Sequence, residues 1–281
     1  MNIKIISDST CDLSPALLEE YNVSLVPLTV VKNDQEFKDG VTITAADIFE
    51  HVAKGGSLCT TSANSVGEYL DYFGKYAKEY DGVIHINIGS CFSSCYQNAC
   101  LAAENFDNVR VIDSQNLSTG QGLVVLKACD LVKAGCGLDE IVEERNRFSR
   151  RVEASFLLDR LEYMVKGGRC SSAAALGANL LNLKPCIEVR DGKMSVVKKY
   201  RGKYAKCLES YVKDRLCGRA DELDHDRLFI TCTPISDDCY SAVRNAVQEN
   251  NCFSHIYETT AGCTVSCHCG PGTLGILFVR K

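Results

Sequence analysis

The 281-residue chain lacks the short motifs that carry most nucleotide and hydrolytic chemistry. It has no G-x-x-x-x-G-K-[ST] phosphate loop. No G-x-G-x-x-G follows a strand-like run, since Gly120-Gln121-Gly122 has no third glycine. There is no H-E-x-x-H and no G-x-S-x-G nucleophile elbow. These absences make a self-sufficient kinase, dehydrogenase or hydrolase hard to support. No apolar run approaches the ~20 residues that span a bilayer, so no integral membrane segment is expected. Only five prolines and no low-complexity tract occur, which argues against disorder. Positive charge is in deficit, with a net charge of -5, which argues against a nucleic-acid partner.

What is present is a 46% apolar composition, enough for one large or two ordinary domains. Met1–Ser7 reads as a short strand followed at once by Asp8, so no secretory signal and a cytoplasmic location are expected. Cysteine is abundant, at seventeen residues. The number is odd and no C-x-x-C pair occurs, which disfavours a disulfide framework. Cys267-His268-Cys269 invites a zinc reading, but neighbours on a strand point to opposite faces and the spacing differs from known sites. No metal is expected. In a reducing cell, cysteine serves as a small buried apolar residue.

Strand and helix patterns alternate through the first half. Ile3–Ile6 predicts a strand, Pro15–Tyr21 a short helix and Val23–Val31 a second strand. Thr44-x-x-Asp47 and Ser65-x-x-Glu68 are capping boxes. Behind the latter, Tyr69, Tyr72, Phe73 and Tyr76 share one helical face and read as core. Gly82–Ile88 and Val109–Asp113 predict further strands. Helices are expected at Ser94–Glu104, Leu123–Lys133 and Leu138–Arg150. Alternation of this kind implies crossovers and a parallel sheet.

The second half changes character. Strands are expected at Val152–Leu158, Arg227–Thr233, Phe253–Thr259 and Gly275–Val279. Helices are expected at Ser171–Leu181, Lys203–Leu216 and Ser236–Glu249. Asp191-Gly192, between Cys186–Arg190 and Lys193–Val197, is a strong hairpin signal. A hairpin among helices predicts a mixed sheet. The domain boundary is placed near Arg150, giving domains 1–150 and 151–281.

Three segments suit a ligand. Thr60-Thr61-Ser62-Ala63-Asn64-Ser65 and Gly89-Ser90-Cys91-Phe92-Ser93-Ser94 are expected to be loops, and each precedes a helix. In an open parallel sheet, ligands sit beyond the carboxyl ends of the strands. Helix N-termini and hydroxyls there suit a carboxylate or phosphate. Ordinary N-capping accounts for the same residues. The third segment is H-C-G-P-G-T-L-G, His268–Gly275, where a histidine precedes a rigid turn and an apolar strand, and a loop histidine held at the edge of a sheet is expected.

A resemblance runs through the whole chain. In order stand D-S-T-C-D-L-S (Asp8–Ser14), T-S-A-N-S-V-G-E-Y (Thr61–Tyr69), I-G-S-C-F-S-S-C-Y-Q-N-A (Ile88–Ala99) and V-I-D-S (Val111–Ser114). They continue with L-D-R-L-E-Y-M-V-K-G-G-R (Leu158–Arg169), L-N-L-K-P (Leu181–Pro185), D-G-K (Asp191–Lys193), K-Y-R-G-K (Lys199–Lys203) and the His268 segment. Their order and spacing resemble the DegV family of fatty-acid-binding proteins. The resemblance implies an α/β fold: an N-terminal α/β/α domain with a parallel sheet, and a C-terminal two-layer α/β domain with a mixed sheet. It implies one long-chain fatty acid in an apolar tunnel, its carboxylate between the domains, and no other cofactor. It further implies presentation of that carboxylate to a separate ATP-binding kinase subunit, which makes an acyl-phosphate for phospholipid synthesis in bacteria.

By position, Thr61, Ser62, Ser93 and His268 match the family's carboxylate-binding residues. Ser90, Cys91 and Ser94 belong to the head-group loop. Arg169 and Arg201 match basic supporting or partner-facing positions. The chain departs from the family pattern at Asn64, usually proline, at Cys91 and Ser94, usually glycine, and at Cys95, usually threonine. The leading expectation is therefore a carrier and not an enzyme. Two alternatives stand beside it: a cysteine-dependent acyl-transfer or hydrolytic enzyme using Cys91 or Cys95 with His268, and a binder of another amphiphile without a kinase partner.

Overall fold

The structure is a computed structural model that describes residues 1–175, 183–250 and 252–281. The chain forms two compact units. One comprises Met1–Arg150 with Gly262–Val265, the other Arg151–Ala261 with Ser266–Lys281.

The first unit contains β1 (Ile3–Asp8), α1 (Pro15–Glu20), β2 (Ser24–Val26), β3 (Thr29–Lys32), β4 (Gln35–Lys38), α2 (Ala45–Ala53), β5 (Thr60–Ser62), α3 (Val66–Ala77), β6 (Gly82–Asn87), α4 (Cys95–Ala103), β7 (Val109–Asp113), α5 (Ser118–Lys133) and α6 (Leu138–Ser149). Its main sheet is parallel, in the order β2-β1-β6-β7. Every residue of β1 and β6 is buried, as expected of strands covered on both faces. Successive strand residues point to opposite faces. Ser7 meets Gln121 of α5, whereas Asp8 meets Tyr69 of α3, so these two helices cover opposite faces.

Two expectations are corrected here. Val23–Val31 is not one strand. It breaks at Pro27-Leu28, because proline supplies no ladder donor. β2 stays in the parallel sheet, and β3 pairs antiparallel with β4 and β5 in a second, three-stranded sheet. The helix expected at Leu123 begins at Ser118 and runs through Gly120 and Gly122. A Cβ at Gly122 would lie 2.8 Å from the Cys11 carbonyl oxygen, so a glycine there permits close packing.

The second unit contains β8 (Val152–Leu157), α7 (Glu162–Gly167), α8 (Ser171–Ala174), β9 (Leu183–Arg190), β10 (Lys193–Arg201), α9 (Tyr204–Leu216), β11 (Leu223–Cys232), α10 (Asp237–Glu249), β12 (His255–Thr260), α11 (Cys263–Cys269, whose first three residues group with the first unit) and β13 (Leu274–Arg280). Its sheet is mixed, in the order β10-β9-β8-β13-β11-β12. The hairpin turns at Asp191-Gly192, both with positive φ (50° and 72°), as a type I′ turn demands. Leu208, Tyr211 and Val212 of α9 and Val243 and Val247 of α10 pack on Leu228, Ile230, Ile276 and Phe278 of the sheet. Ser171–Ala174 is helical, while residues 176–181 of the expected Ser171–Leu181 helix lie outside the described residues.

Candidate ligand-binding site

In the parallel sheet, the strand order reverses between β1 and β6, and ligands in open sheets sit at such a switch point. Asp8 ends β1 and Asn87 ends β6. The Asp8 carboxyl is fully buried. It accepts from Tyr69 Oη at 2.9 Å, Asn87 Nδ2 at 3.0 Å and the Ile88 amide at 2.9 Å. The His85 ring lies beside it, with Nε2 at 3.3 Å, edge-on to Tyr69. Tyr69 therefore does more than fill core: its hydroxyl ties α3 to the strand ends.

The two hydroxyl-rich segments differ in build. Thr61 and Ser62 lie on β5, opposite Val30 and Thr29 of β3, and not in a loop. The correction has a simple cause. A three-residue polar strand has no apolar alternation to betray it. Capping of α3 falls to Ser65, whose side chain accepts the Glu68 amide while Glu68 returns a bond to the Ser65 amide. In the second segment, Ser94 takes the N-cap position of α4 but makes no side-chain capping bond. Ser93, half-buried, accepts the Cys95 amide instead, at 3.2 Å. Ser90 is tied to Asp113 by its amide and its hydroxyl, at 3.1 and 2.7 Å. Its role is thus to hold the loop. Cys91 is exposed.

Cys95 is buried, and burial followed by the nearby Asp8 pushes its thiol up to about 11. A thiol held protonated is a poor nucleophile. This weakens the cysteine-enzyme reading at Cys95.

His268 departs from expectation. It sits in the last turn of α11, not in a loop at a sheet edge. Cys267, His268 and Cys269 are consecutive helical residues, about 100° apart around the axis. Among the described residues, no group of three His, Cys, Asp or Glu side chains could hold a metal. The start of α11 is fixed by two aspartates that the sequence reading missed. Asp39 accepts from the amides of Cys263 and Thr264 at 2.8 and 3.1 Å and from Thr264 Oγ1 at 2.7 Å. Asp12 accepts from the Gly262 amide at 2.9 Å and from Ser118 Oγ at 2.5 Å. Burial pushes the Asp12 carboxyl up to about 8.

The other end of α11 is held by close packing. A Cβ on Gly167 would fall 2.4 Å from His268 Nδ1, so the imidazole rests on bare backbone. Gly270 and Gly272 both have positive φ (75° and 76°), which sets the turn into β13. Burial, then the charge of Arg169, lowers His268 to about 4, leaving a neutral ring at pH 7. Arg169 is exposed and donates to the Gly167 carbonyl at 2.7 Å. Arg201 is exposed at the end of edge strand β10, opposite Leu183.

Comparison with known proteins places this architecture. The family model described as "Uncharacterised protein, DegV family" matches residues 2–281. The chain is 32% identical over 284 residues to a DegV domain-containing protein of Clostridium acetobutylicum, covering 99% of each. It is 28% identical over 287 residues to Protein DegV of Bacillus subtilis, covering both completely. Among solved structures, it superposes on a DegV family protein from Thermus thermophilus, described for its fatty acid binding, with a TM-score of 0.92 and 29% identity. It superposes on DegV of Bacillus subtilis, described as a fatty acid binding protein, with a TM-score of 0.86 and 27% identity. Coverage is 100% of both chains in each case. With sequence and fold both matched from end to end, the chain belongs to the DegV family.

Proposed function

We propose that this protein binds one long-chain fatty acid and presents its carboxylate to a separate ATP-dependent fatty-acid kinase. Thr61, Ser62 and Ser93 donate hydrogen bonds to the carboxylate, and His268 adds one from its neutral ring. Ser90, Cys91 and Ser94 shape the head-group loop, with Ser90 acting through Asp113. Arg169 supports His268, and Arg201 faces the kinase. The protein itself is a carrier. It needs no metal and no cofactor beyond the lipid, and works in the cytoplasm.

The observation that carries this reading is end-to-end similarity to DegV structures described as fatty acid binding, at 27–29% identity. The chain's own residues add support. A strand of hydroxyls and a serine beside the switch point suit an anion, and a neutral imidazole can donate without adding charge. A buried acyl tail contributes about 0.8 kcal/mol per methylene, so the ligand should survive purification.

The test is native mass spectrometry and organic extraction of the purified protein. One acyl chain per protein is expected, and added oleate should raise the Tm of stripped protein. Hydrogen bonds to a charged group contribute roughly 1.5–3 kcal/mol, so Thr61→Val and Ser93→Ala should each weaken oleate binding about 10- to 100-fold. With a fatty-acid kinase and ATP, the loaded protein should yield acyl-phosphate; alone, it should not turn over acyl esters. No stoichiometric lipid and no thermal shift would sink the reading. Turnover by the protein alone would favour the enzyme alternative, and extraction of a different amphiphile the third.

A further inference from the structure

The Ser93 hydroxyl already has a partner. Its O–H donates to Cys95 Sγ at 3.1 Å, while its oxygen accepts the Cys95 amide at 3.2 Å. The Cys95 thiol is also in hydrogen-bond contact with the Tyr69 hydroxyl. Tyr69 Oη donates to Asp8, where Asn87 and Ile88 close the far end. Each hydroxyl or thiol has one proton to give, so the chain of bonds has a direction. The Tyr69 proton is committed to Asp8. The thiol proton therefore goes to the Tyr69 oxygen, and the sulfur lone pairs face Ser93 and the Asn64 backbone amide.

An anion arriving at Ser93 thus meets an oxygen whose proton is turned away. To bind, the hydroxyl must rotate from sulfur to the anion. Sulfur is a weak acceptor, so the rotation costs little. An oxygen in its place would hold the proton more firmly. A charged acceptor makes hydrogen bonds roughly twice as strong as a neutral one, so a carboxylate displaces the sulfur more readily than an amide carbonyl does. We propose that Cys95 is a specificity-determining residue of the head-group site, its sulfur holding the Ser93 hydroxyl in place and surrendering the proton to a carboxylate. The proposal rests on the carboxylate-binding reading above and adds to it how strongly, and for which head group, Ser93 responds.

The test titrates the full chain and its Cys95→Ser and Cys95→Ala variants with oleate and with the neutral oleamide. Cys95→Ser, with a stronger acceptor, should weaken oleate binding about fivefold and leave oleamide within about twofold. Cys95→Ala, with no competing acceptor, should bind oleate about twofold more tightly. Opposite signs from the two variants separate this role from packing, which would weaken both ligands in both variants. Ligand-free Tm values confirm folding. Should a variant not fold, infrared spectroscopy of the wild-type protein decides: oleate should shift one S–H stretching band, and oleamide should shift it less. If the wild-type protein takes up no oleate, the carboxylate reading falls and this proposal with it. If oleate binds and Ser93→Ala weakens it, but Cys95→Ser changes neither ligand or no S–H band moves, the role of Cys95 alone is overturned.

Discussion

Asp8 and Glu153 are both buried carboxyl groups on strands, and the two units surround them in opposite ways. Asp8 is met by a tyrosine hydroxyl, an asparagine amide and a backbone N–H, with the His85 ring beside it at 3.3 Å and, among the described residues, no guanidinium in contact. From it, hydrogen bonds lead through Tyr69 and Cys95 to the half-buried Ser93. Glu153 is met by guanidinium groups. Arg219 binds it with two nitrogens, at 2.9 and 2.8 Å, and Arg215 bridges it to Glu188. Arg190 and Glu222 take up the outer positions. The second arrangement cancels charge in place and ends in ordinary surface ion pairs. The first is open-ended and leads to Ser93, in the loop that follows β6. A buried polar network that closes on itself holds a fold; one that ends on a reachable hydroxyl can serve a site.

The sharpest way to break that comparison is to remove each carboxyl. Asp8→Ala takes the shared acceptor from three buried donors, and at about 1–3 kcal/mol for each such group the loss should reach about 3–5 kcal/mol. Glu153→Ala leaves Arg215 and Arg219, whose side chains are 14% and 22% exposed and keep Glu188 and Glu222. With that solvent access the cost should be about 1–3 kcal/mol. Urea unfolding of the two variants measures both. Equal losses would mean that the two networks do not differ in kind.

A smaller effect is expected at His268, which the proposed function assigns to the head group. Gly167→Ala places a methyl 2.4 Å from His268 Nδ1, and the ring must move. Overpacking of this sort costs about 1–3 kcal/mol. Tm should fall, and oleate affinity should fall with it. An unchanged affinity at a lowered Tm would show that the position of His268 is not what the head group reads.

These partners were only partly legible in the residues. The capping boxes at Thr44 and Ser65 and the Asp191-Gly192 turn act within four residues, and local chemistry announces them. The buried apolar runs of β1 and β6 announce a covered parallel sheet. The aromatic stripe on α3 reads as core, but the partner of the Tyr69 hydroxyl stands 61 residues away. Cys263–Cys269 has no helix-start signal of its own. Its capping carboxylate belongs to Asp39, 224 residues earlier. Thr61 and Ser93 were visible as hydroxyls at suitable places, whereas the bond that turns Ser93 toward sulfur depends on a folded loop. What sequence conveys poorly here is therefore not which groups are polar, but which distant group each one satisfies.

Asp12 and His268 sharpen the comparison through pH, because they titrate in opposite senses. Burial holds the Asp12 carboxyl up to about 8, above its ordinary value of 3.8. Its stabilising contribution is therefore complete below pH 3.8 and is lost as pH rises to 8. Burial and Arg169 hold His268 down to about 4, below its ordinary 6.5. Its contribution is complete above pH 6.5 and is lost as pH falls to 4. Each slope is at most about 1.4 kcal/mol per pH unit. Between pH 4 and 6.5 the two oppose each other; above 6.5 only the Asp12 decline remains. In urea midpoints against pH, Asp12→Asn should flatten the curve above pH 6.5, and His268→Gln should extend the decline down toward pH 4. A slope above pH 6.5 that survives Asp12→Asn would count against the assignment.

The smallest effect marks where the first unit's network stops. Asn64 lies within the first hydroxyl segment, 1% exposed, and its backbone carbonyl accepts from Asn98 Nδ2 at 2.8 Å. Among the described residues, neither atom of its side-chain amide has a hydrogen-bond partner. Asn87, equally buried, gives its Nδ2 to both Asp8 and Tyr69. The two asparagines should answer truncation differently. Asn87→Ala strips two bonded groups of a donor and should cost about 2 kcal/mol. Asn64→Ala removes two unmatched polar atoms and keeps the backbone bond, so the relief offsets the lost packing. Its stability should stay within about 0.5 kcal/mol of the parent, or rise. A loss of Asn87 size at position 64 would mean that its amide is satisfied in solution, by a water or by the ligand, and that the network reaches one residue further toward Thr61 than its hydrogen bonds trace.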